Sequence, residues 1–273
     1  MHPLPFEQFA TVRPLFIGQH LELVIDGIIA GNSPVLIWVD DLARPRTAYI
    51  WDKFHCHYLA GNPHNATFNA ELCGLIAEQL LPTITPPVFV KVTYTPEWEP
   101  HVPALFPAIE LKLYPRVFLT LNNFNGSEWR RRIPDGFTMQ PINAALLGNT
   151  SLNHVTEVLA EIRQCWPSVE QFLANGFGFC LVHHQEEIAG WCTGEYRSAG
   201  KCGIGIETVE AYQRRGLAQL TASALVEHAL AAGLAPHWDS WARNVPSVAV
   251  AEKIGFRVAV NYSAYVGVFE PHM

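Results

Sequence analysis

The segment Tyr212–Leu220, "YQRRGLAQL", places two arginines and a glycine directly before apolar residues at helical spacing. A strand that ends at Val209 and a helix that begins near Gly216 would leave several backbone N–H groups between them without a partner. Such N–H groups, together with the positive end of the helix dipole, bind anions. Arg214 and Arg215 add positive charge at the same point, and Gly216 has no Cβ atom to hold a ligand away. The segment therefore predicts a binding site for a phosphorylated ligand, such as one with a pyrophosphate.

Two familiar phosphate loops are excluded by the residues around this glycine. No Lys-Ser or Lys-Thr pair follows Gly216, as a P-loop requires. The run "GIGIET" lies inside a predicted strand rather than after one, so it is a weak match to a dinucleotide-binding fingerprint. Spacing alone leaves open a plain solvated start of a helix that binds no ligand.

The elements that must position this loop can be predicted from the residues on either side of it. The runs "FGFCLVH", "EIAGWCTGEY" and "KCGIGIETV" have the pattern of strands, and the turn "HQEE" joins the first two. A helix is predicted from about Leu217 to Ala232, closed by Gly233, and "PHWDSWA" predicts a further strand. Asn244 opens a shorter helix that ends at Gly255, and "SLNHVTEVLAEIRQCW" predicts an amphipathic helix earlier in the chain.

The first half of the chain predicts a separate mixed α/β arrangement. The runs "VLIWVDD", "TAYIWD", "VFVKVTYT" and "PRVFLTLN" favour strands, and "NATFNAELCGLIAEQLL" has helical spacing. The polar, turn-forming run "NNFNGSE", Asn122–Glu128, is the clearest break in the sequence. We therefore expect an N-terminal α/β domain over residues 1–126 and a second domain over residues 127–273.

The loop and the predicted last helix together resemble a known family. Gln213–Ala218 is similar to the Q/R-x-x-G-x-G/A motif of the GNAT superfamily of acyl-CoA-dependent N-acetyltransferases. "AEKIGF", Ala251–Phe256, is similar to the closing "YEKLGF" of that family, and the resemblance runs from about Ile133 to the C-terminus. "IGIET" and "SWARNVPSVAVAEKIGF" look most like the branch that includes zwittermicin-resistance acetyltransferases, which carry an additional N-terminal region.

This resemblance implies an α/β (α+β) chain with acetyl-CoA as its cosubstrate. The second domain would have the GNAT fold, a mixed and mainly antiparallel splayed sheet flanked by helices. The N-terminal region would be a smaller α/β domain, and a degenerate GNAT-like lobe is one form that it could take. The pantetheine arm of acetyl-CoA would lie in the gap between the two splayed strands.

The resemblance also assigns positions of this sequence to acetyl-CoA. The backbone of three strand residues would line the pantetheine arm and point an N–H group at the thioester carbonyl: Ile206, Glu207 and Thr208. Six loop residues would hold the pyrophosphate: Gln213, Arg214, Arg215, Gly216, Leu217 and Ala218. Two residues at the start of the last helix would contact the pantetheine region: Asn244 and Ser247.

Two departures from the family pattern put the usual catalytic acid and base in doubt. Cys202 stands where histone-type members have a glutamate, and Ala251 stands where a tyrosine often protonates the departing CoA thiolate. Three other carboxylates are candidate bases: Glu195, Glu207 and Asp239. Two tyrosines are candidate acids: Tyr196 and Tyr265. For each of these side chains, an ordinary surface or hydrogen-bonded role is the alternative.

These features predict an enzyme that moves an acetyl group from acetyl-CoA to a primary amine of a small molecule or peptide. Such an amine arrives protonated, with a pKa of roughly 10.4 if it resembles lysine, so a base or a water chain must remove a proton. No cysteine has the flanking histidine and helix N-terminus that would make it a nucleophile, so we expect direct transfer in a ternary complex. Two alternatives stay open: a non-catalytic acyl-CoA-binding sensor, and a tandem-GNAT aminoacyl transferase, which would need more basic surface.

Composition narrows the remaining functions. The chain of 273 residues is 49% apolar and 16% charged, as folded domains are, and its net charge of -7 argues against a broad nucleic-acid surface. The basic run "WRRR", Trp129–Arg132, is interpreted as a solvated boundary segment. No run approaches the roughly 20 apolar residues of a membrane span, and "MHPLPFEQFA" lacks the pattern of a secretory signal. Scattered cysteines fit reduced thiols, so we expect a soluble cytoplasmic monomer or homodimer with no nucleic-acid or membrane partner.

The histidines of "FHCHYLAGNPHN" are interpreted as surface imidazoles rather than metal ligands. His55 and His57 would share one face of a strand, with Cys56 opposite and His64 nearby. No second cluster of ligands supports them in the sequence, so we expect no metal.

Overall fold

The structure is a computed structural model that describes residues 1–84 and 87–270. The chain forms two compact units, each assembled from separate stretches. The first unit comprises Met1–Ile29, Pro34–Arg116 and the chain from Tyr262 onward, and the second comprises Ala30–Ser33 and Val117–Asn261. These units do not divide at residue 126, and the expected split into domains 1–126 and 127–273 stays a prediction.

The first unit is built on a mixed sheet. Its strands lie in the order β1 (His2–Pro3), β2 (Leu36–Val39), β3 (Thr47–Trp51), β4 (Cys56–Gly61) and β5 (Val88–Tyr94). Neighbours are antiparallel from β1 to β4, whereas β4 and β5 are parallel. The α-helices of this unit are α1 (Gln19–Ile29), α2 (Ala66–Leu75) and α3 (Val102–Leu105). Helix α2 lies in the connection between β4 and β5, because parallel neighbours need a crossover.

The second unit repeats this plan with longer elements. Strand β6 (Lys112–Leu121) leads into it, followed by β7 (Phe137–Pro141), α4 (Ala144–Leu147), α5 (Val155–Cys165), α6 (Val169–Asn175), β8 (Gly178–His183), β9 (Glu187–Glu195) and β10 (Lys201–Thr208). Helix α7 (Leu217–Ala231), β11 (Ala235–Trp241), α8 (Val245–Ile254) and β12 (Phe256–Phe269) complete the chain. The strand order is β12-β6-β11-β10-β9-β8-β7. Neighbours from β7 to β10 are antiparallel, and β10 and β11 are parallel with α7 as their crossover.

Strands β6 and β12 each contribute residues to both units. Within the first unit, Tyr265–Phe269 of β12 pair antiparallel with β5. Short 3-10 helices span Phe6–Leu15, Leu81–Thr83, Pro96–Trp98, Trp129–Arg132 and Glu210–Tyr212, and a π-helical turn spans Ile76–Leu80. The long helix predicted from "NATFNAELCGLIAEQLL" is therefore an α-helix only as far as Leu75.

The elements predicted around the glycine loop are confirmed. Helix α7 ends at Ala231, and Gly233 follows with a φ of +73°, the left-handed conformation that glycine adopts most easily. The side chain of Asn244 caps α8 by accepting a hydrogen bond from the N–H of Ser247. One detail differs: β10 ends at Thr208, and a 3-10 turn separates it from the loop.

Alternating side chains of the central strands pack against different helices in the second unit. Cys180, Val182 and Ile188 join a buried cluster with residues of α5 and α6, whereas Leu181 and Ala189 join a cluster with residues of α7. The sheet of this unit therefore has a helical layer on each face, as the predicted fold requires. None of the helices in residues 1–84 and 87–270 has the length and apolar character needed to cross a bilayer.

The polar run Asn122–Glu128, expected to be a linker, is held by backbone hydrogen bonds within the second unit. The N–H of Asn122 donates to the carbonyl of Gly255 at 3.1 Å, and the N–H of Asn125 donates to Ile254 at 2.8 Å. Gly255 has a φ of +117°, and a Cβ at this position would overlap the carbonyl of Asn123. The run is thus tied to the end of α8.

Candidate active site

The loop before α7 has the geometry of an anion site. Gln213, Arg214, Arg215 and Gly216 are all exposed, and Gly216 stands at the N-cap of a helix of 15 residues. Gly216 has no side chain to cap this helix, so the N–H groups of the first turn are left for another acceptor. Its φ is +77°, and an added Cβ would meet open space. Glycine is needed here for the backbone conformation rather than for room, which differs from the reason that the sequence suggested.

Aromatic side chains fix the position of one of the two arginines. The Arg215 guanidinium lies over the rings of Tyr212 and Phe137, 5.3 and 5.5 Å from their centroids. Tyr212 is buried, and its hydroxyl donates to Glu187 Oε2 at 2.6 Å. Burial and this bond raise the pKa of Tyr212 to about 12, so the hydroxyl keeps its proton at neutral pH. Arg215 is therefore held beside the first turn of α7 before any ligand binds.

The strands that flank this loop separate beside it. Strands β10 and β11 pair over Lys201–Gly203 and Ala235–His237, and in the described chain their ladder ends there, although β10 continues to Thr208. On its other edge, β10 stays paired with β9 as far as Thr208. The opening therefore lies between β10 and β11, on the side of β10 that Ile206 to Thr208 border. This is where the resemblance expected the pantetheine arm, and the roles of Ile206, Glu207 and Thr208 stay predictions.

The parallel strands of the first unit behave differently. Strands β4 and β5 pair over Cys56–Leu59 and Lys91–Tyr94, and the N–H of Thr95 continues the contact by donating to the carbonyl of Leu59 at 3.0 Å. The two parallel pairs have the same crossover topology, but β10 runs from Gly203 to Thr208 past its ladder, whereas β4 runs only from Leu59 to Gly61 past its own.

Two glycines, Gly203 and Gly205, lie on one face of β10. Gly203 pairs with Glu195 of β9 and with His237 of β11, and Gly205 pairs with Thr193 of β9. Paired residues of neighbouring strands share a face, so these five residues all lie on the same side of the sheet. We call them the glycine floor. Across it, Glu195 and His237 stand two strand spacings apart, about 10 Å.

Two carboxyl groups converge over the glycine floor. A Cβ on Gly205 would overlap the Glu195 carboxylate and would stand 2.9 Å from Oε1 of Glu161, a residue of α5. Glu161 accepts hydrogen bonds from the Trp191 indole at 2.5 Å and from the Thr193 hydroxyl at 2.8 Å. Burial raises the pKa of Glu161, these two bonds oppose the increase, and the negative charge of Glu207 adds to it.

At one edge of the glycine floor, the His237 ring has a buried nitrogen atom, Nδ1, without a hydrogen-bond partner in the described chain. The ring stacks on Phe118, with centroids 5.2 Å apart. Burial and the nearby charge of Lys201 lower the pKa of His237 to about 4, so the imidazole is neutral at pH 7.

The structure brings two of the three predicted bases together and places the third across the opening. Glu195 and Glu207 lie on the face of the glycine floor, because Glu195 pairs with Gly203 and Glu207 is two residues from Gly205. Asp239 lies two residues beyond His237 on β11, on the same face. Their catalytic roles stay predictions.

The predicted acids are less well placed. Tyr265 belongs to the first unit, where its ring lies 5.6 Å from that of Tyr94 and burial raises its pKa. Tyr196 follows β9 with a φ of +45°, in the turn that leads to β10. Among the described contacts, none brings Tyr265 to the glycine floor.

The two residues that depart from the family pattern are buried. Cys202 packs with Ala229 and Leu234, and burial raises the pKa of its thiol to about 12. Ala251 lies in the core between α7 and α8. Neither replaces the missing acid or base.

The two residues predicted to contact the ligand at the start of the last helix form hydrogen bonds within the protein. Asn244 caps α8, and the Ser247 hydroxyl accepts a hydrogen bond from the Trp238 indole at 3.0 Å. Their contact with a ligand stays a prediction, and for Ser247 it would have to share the hydroxyl with Trp238.

The histidines of the first unit are not all at the surface, which corrects that part of the interpretation. His57 is fully buried, and its Nδ1 atom lies 2.7 Å from the Tyr49 hydroxyl. In the described chain, one group of side chains could offer three metal ligands, because the ligand atoms of Asp52, His55 and Cys56 lie within 4.8 Å of one another. Lys91 already hydrogen-bonds the Cys56 thiol and supplies positive charge there, so we assign no metal to this group.

Sequence reasoning missed Glu161 and His237. Glu161 falls on the apolar stripe of α5, between the buried Val158 and Ile162, and an acidic residue on such a stripe is a signal that could have been followed. His237 becomes notable only when the end of the β10–β11 ladder is known.

Comparison with known proteins agrees with this geometry. A family model described as GNAT acetyltransferase matches residues 13–265. The uncharacterised N-acetyltransferase YdfB of Bacillus subtilis (strain 168) is 21% identical over 268 residues, which cover 97% of this chain and 98% of the relative.

Solved structures share the fold. A GCN5-related N-acetyltransferase-like protein from Streptococcus suis has a TM-score of 0.72 at 22% identity, covering 96% of this chain and 98% of that one. A tandem GNAT protein from the clavulanic acid biosynthesis pathway has a TM-score of 0.58 at 13% identity, with 99% and 98% covered. Because the family match begins at residue 13 and ends at residue 265, it includes both units, and the whole chain belongs to the GNAT acetyltransferase family.

Proposed function

We propose that this protein transfers an acetyl group from acetyl-CoA to a primary amine of a small molecule or peptide, directly within a ternary complex. The separation of β10 from β11 beside the anion loop of α7 is the observation that carries the proposal. Beyond Gly203, β10 continues without a ladder to β11 and leads towards the exposed start of α7, which supports a place there for a pantetheine arm and a pyrophosphate.

The order of the candidate residues along the chain supports a matching order for the parts of acetyl-CoA. Ile206, Glu207 and Thr208 would lie along the pantetheine arm, and the loop from Gln213 to Ala218 would hold the pyrophosphate. Bound acetyl-CoA supplies an activated acetyl thioester. A backbone N–H of β10 directed at the thioester oxygen would stabilise the charge that develops during attack, a contact valued at about 3 kcal/mol in other enzymes.

Direct transfer is supported by the state of the cysteines. Burial raises the pKa of the thiols of Cys180, Cys192 and Cys202, so they stay protonated and are poor nucleophiles at neutral pH. Free thiols throughout the described chain also fit our proposal that the reaction takes place in the cytoplasm.

The first unit supports a tandem arrangement with one acyl-CoA site. It repeats the sequence of antiparallel strands followed by a helical crossover to a parallel strand, which favours a degenerate GNAT-like lobe. Its β4–β5 ladder reaches Leu59, close to the end of β4, whereas β10 runs well past its ladder to β11, so we infer that only the second unit binds acetyl-CoA. The net charge of -7 does not favour a tandem transferase that reads aminoacyl-tRNA.

Two measurements test the proposal. Calorimetric titration of the purified full chain with CoA should give one site per chain. Release of CoA thiol from acetyl-CoA should then depend on an added amine, in a panel of alkylamines, diamines, lysine peptides and anilines. CoA binding without release for any amine would favour the acyl-CoA sensor, and absence of CoA binding would refute the proposed function.

A further inference from the structure

The strongest unexplained feature of the second unit is the chemistry gathered over the glycine floor. The opening beside β10 and the anion loop would account for the acyl donor, but neither accounts for Glu161 or for the unused Nδ1 atom of His237. The Glu161 carboxyl group lies against Gly205, and His237 pairs with Gly203, the neighbouring glycine on the same face of β10.

We propose that Glu161 binds the ammonium group of the acceptor over the glycine floor and takes its proton, so that the acceptors are alkylamines that are cationic at neutral pH. This inference rests on the proposed function and names the substrate class for that same site.

Geometry selects Glu161 among the carboxylates. Its carboxyl group is held by the Trp191 indole and the Thr193 hydroxyl, so it is fixed in place before the acceptor arrives. By contrast, Glu207 is exposed, and its carboxylate accepts a hydrogen bond from the N–H of its neighbour Thr208. Glu195 shares the space over Gly205 and accepts a hydrogen bond from the Cys165 thiol at 3.3 Å.

Charge explains why a cation is favoured there. The carboxylates of Glu161 (α5), Glu195 (β9) and Glu207 (β10) face the same space. Carboxylates at such short distances repel one another unless a proton or a cation lies between them. An ammonium group between the Glu161 and Glu195 carboxylates relieves this repulsion. The buried thiol of Cys180 packs on the α5 side of the sheet, as Glu161 does, and burial raises its pKa, so this thiol stays neutral.

The reaction then balances with the residues present. The ammonium group gives one proton to the Glu161 carboxylate, and the freed lone pair forms the C–N bond to the thioester carbonyl carbon. The C–S bond breaks, the nitrogen releases a second proton, and the CoA thiolate takes up one proton. Glu161 returns its proton to water, so an alkylammonium and acetyl-CoA give an amide, CoA thiol and one proton.

The test compares two kinds of amine in two variants. Glu161→Gln should lower kcat/KM for an alkylamine by about 100-fold or more, the usual contribution of a positioned base. It should lower kcat/KM for an aniline much less, because an aniline is neutral at pH 7 and needs no proton removed before attack. Glu170→Gln, on the neighbouring helix α6, is the matched control and should change neither rate.

A second variant keeps the carboxyl group and shifts its proton affinity. Thr193→Val removes one of the hydrogen bonds that stabilise the Glu161 carboxylate, so the pKa of Glu161 should rise further. The acid limb of the pH profile of kcat/KM for an alkylamine should therefore move to higher pH. The same rise in pKa should be measurable without acetyl-CoA, by NMR titration of 13C-labelled glutamate carboxyl groups. The signal that is absent in Glu161→Gln identifies the Glu161 carboxyl.

The outcomes separate this inference from the proposed function. If the wild-type protein releases CoA with amines but Glu161→Gln keeps the wild-type pH profile and alkylamine rate, Glu161 is not the base and the inference fails alone. A large loss in Glu195→Gln instead would move the role to Glu195. If Glu161→Gln does not fold, an unchanged acid limb and an unchanged carboxyl titration in Thr193→Val refute the inference.

Discussion

The position of Arg215 leads to a prediction about one part of the ligand. Its guanidinium is already held over Tyr212 and Phe137, so little side-chain freedom is lost when it meets a phosphate oxygen. A hydrogen bond to a charged group contributes about 1.5–3 kcal/mol, and the exposure of this loop favours the lower end. Since 1.4 kcal/mol corresponds to tenfold, Arg215→Ala should weaken CoA binding by roughly 10- to 30-fold.

The assay is calorimetric titration with a pair of ligands. CoA carries the pyrophosphate, whereas S-acetylpantetheine ends before it. Arg215→Ala should weaken only CoA, and the loss should shrink as salt is raised, because the contact is ionic and exposed. Arg215→Lys keeps the charge but not the planar group that stacks on the rings, so it should recover part of the loss. Arg44→Ala, an exposed arginine of the first unit, is the control for the same change in net charge.

Equal losses for CoA and S-acetylpantetheine in Arg215→Ala would refute this reasoning. They would mean that the substitution disturbs the opening beside β10 rather than a contact with phosphate. An equal loss in Arg44→Ala would instead assign the effect to net charge.

Three further predictions follow from backbone geometry and burial. Gly216→Val forces a branched residue to a φ of +77°, so it should destabilise the protein by about 1–2 kcal/mol in denaturant unfolding and weaken CoA more than Arg215→Ala; unchanged affinity would remove the loop from the site. Gly205→Ala puts a Cβ against the oxygens of Thr193 and Glu161. The rate of CoA release with amines should therefore fall sharply, whereas the affinity for CoA should stay nearly the same. An equal fall in rate and affinity would contradict the separation of donor and acceptor regions. Cys202→Ala should keep most of the activity, and intact-mass measurement of the wild type with acetyl-CoA alone should show no acetyl adduct; an adduct on Cys202 that disappears on adding an amine would establish a ping-pong route.

The predictable part of this site is local in sequence. The anion loop depends on a strand end, a glycine with positive φ and a helix start, and all of these lie within one short segment from Thr208 to Leu217. Helical periodicity likewise predicts α7 and α8, and the glycine that follows each helix indicates where it ends. These features could be predicted because the residues that form them are neighbours along the chain.

The chemistry over the glycine floor depends on register and could not be predicted in the same way. Gly203 and Gly205 look like weak positions in a strand, and their meaning appears only when Thr193, Glu195 and His237 are known to pair with them. Glu161 reaches the same place from a helix that precedes Gly205 by more than forty residues in the printed sequence. The candidate bases were therefore chosen along strands near the loop, and the carboxyl group with the firmest hydrogen bonds was not among them.

The two units share the same strand and crossover order, but they differ in the features that could bind a ligand. In the second unit, β10 carries glycines on one face and loses its partner β11 after Gly203, so backbone and carboxyl groups are left facing an opening. In the first unit, the corresponding strand β4 is filled from Cys56 to Ala60 with buried residues and pairs with β5 as far as Leu59. Its His57 is not exposed to a cleft but is bonded to Tyr49 in the core. Strand pairing and buried side chains both reduce the space for a ligand, so we infer that the first unit does not bind acyl-CoA.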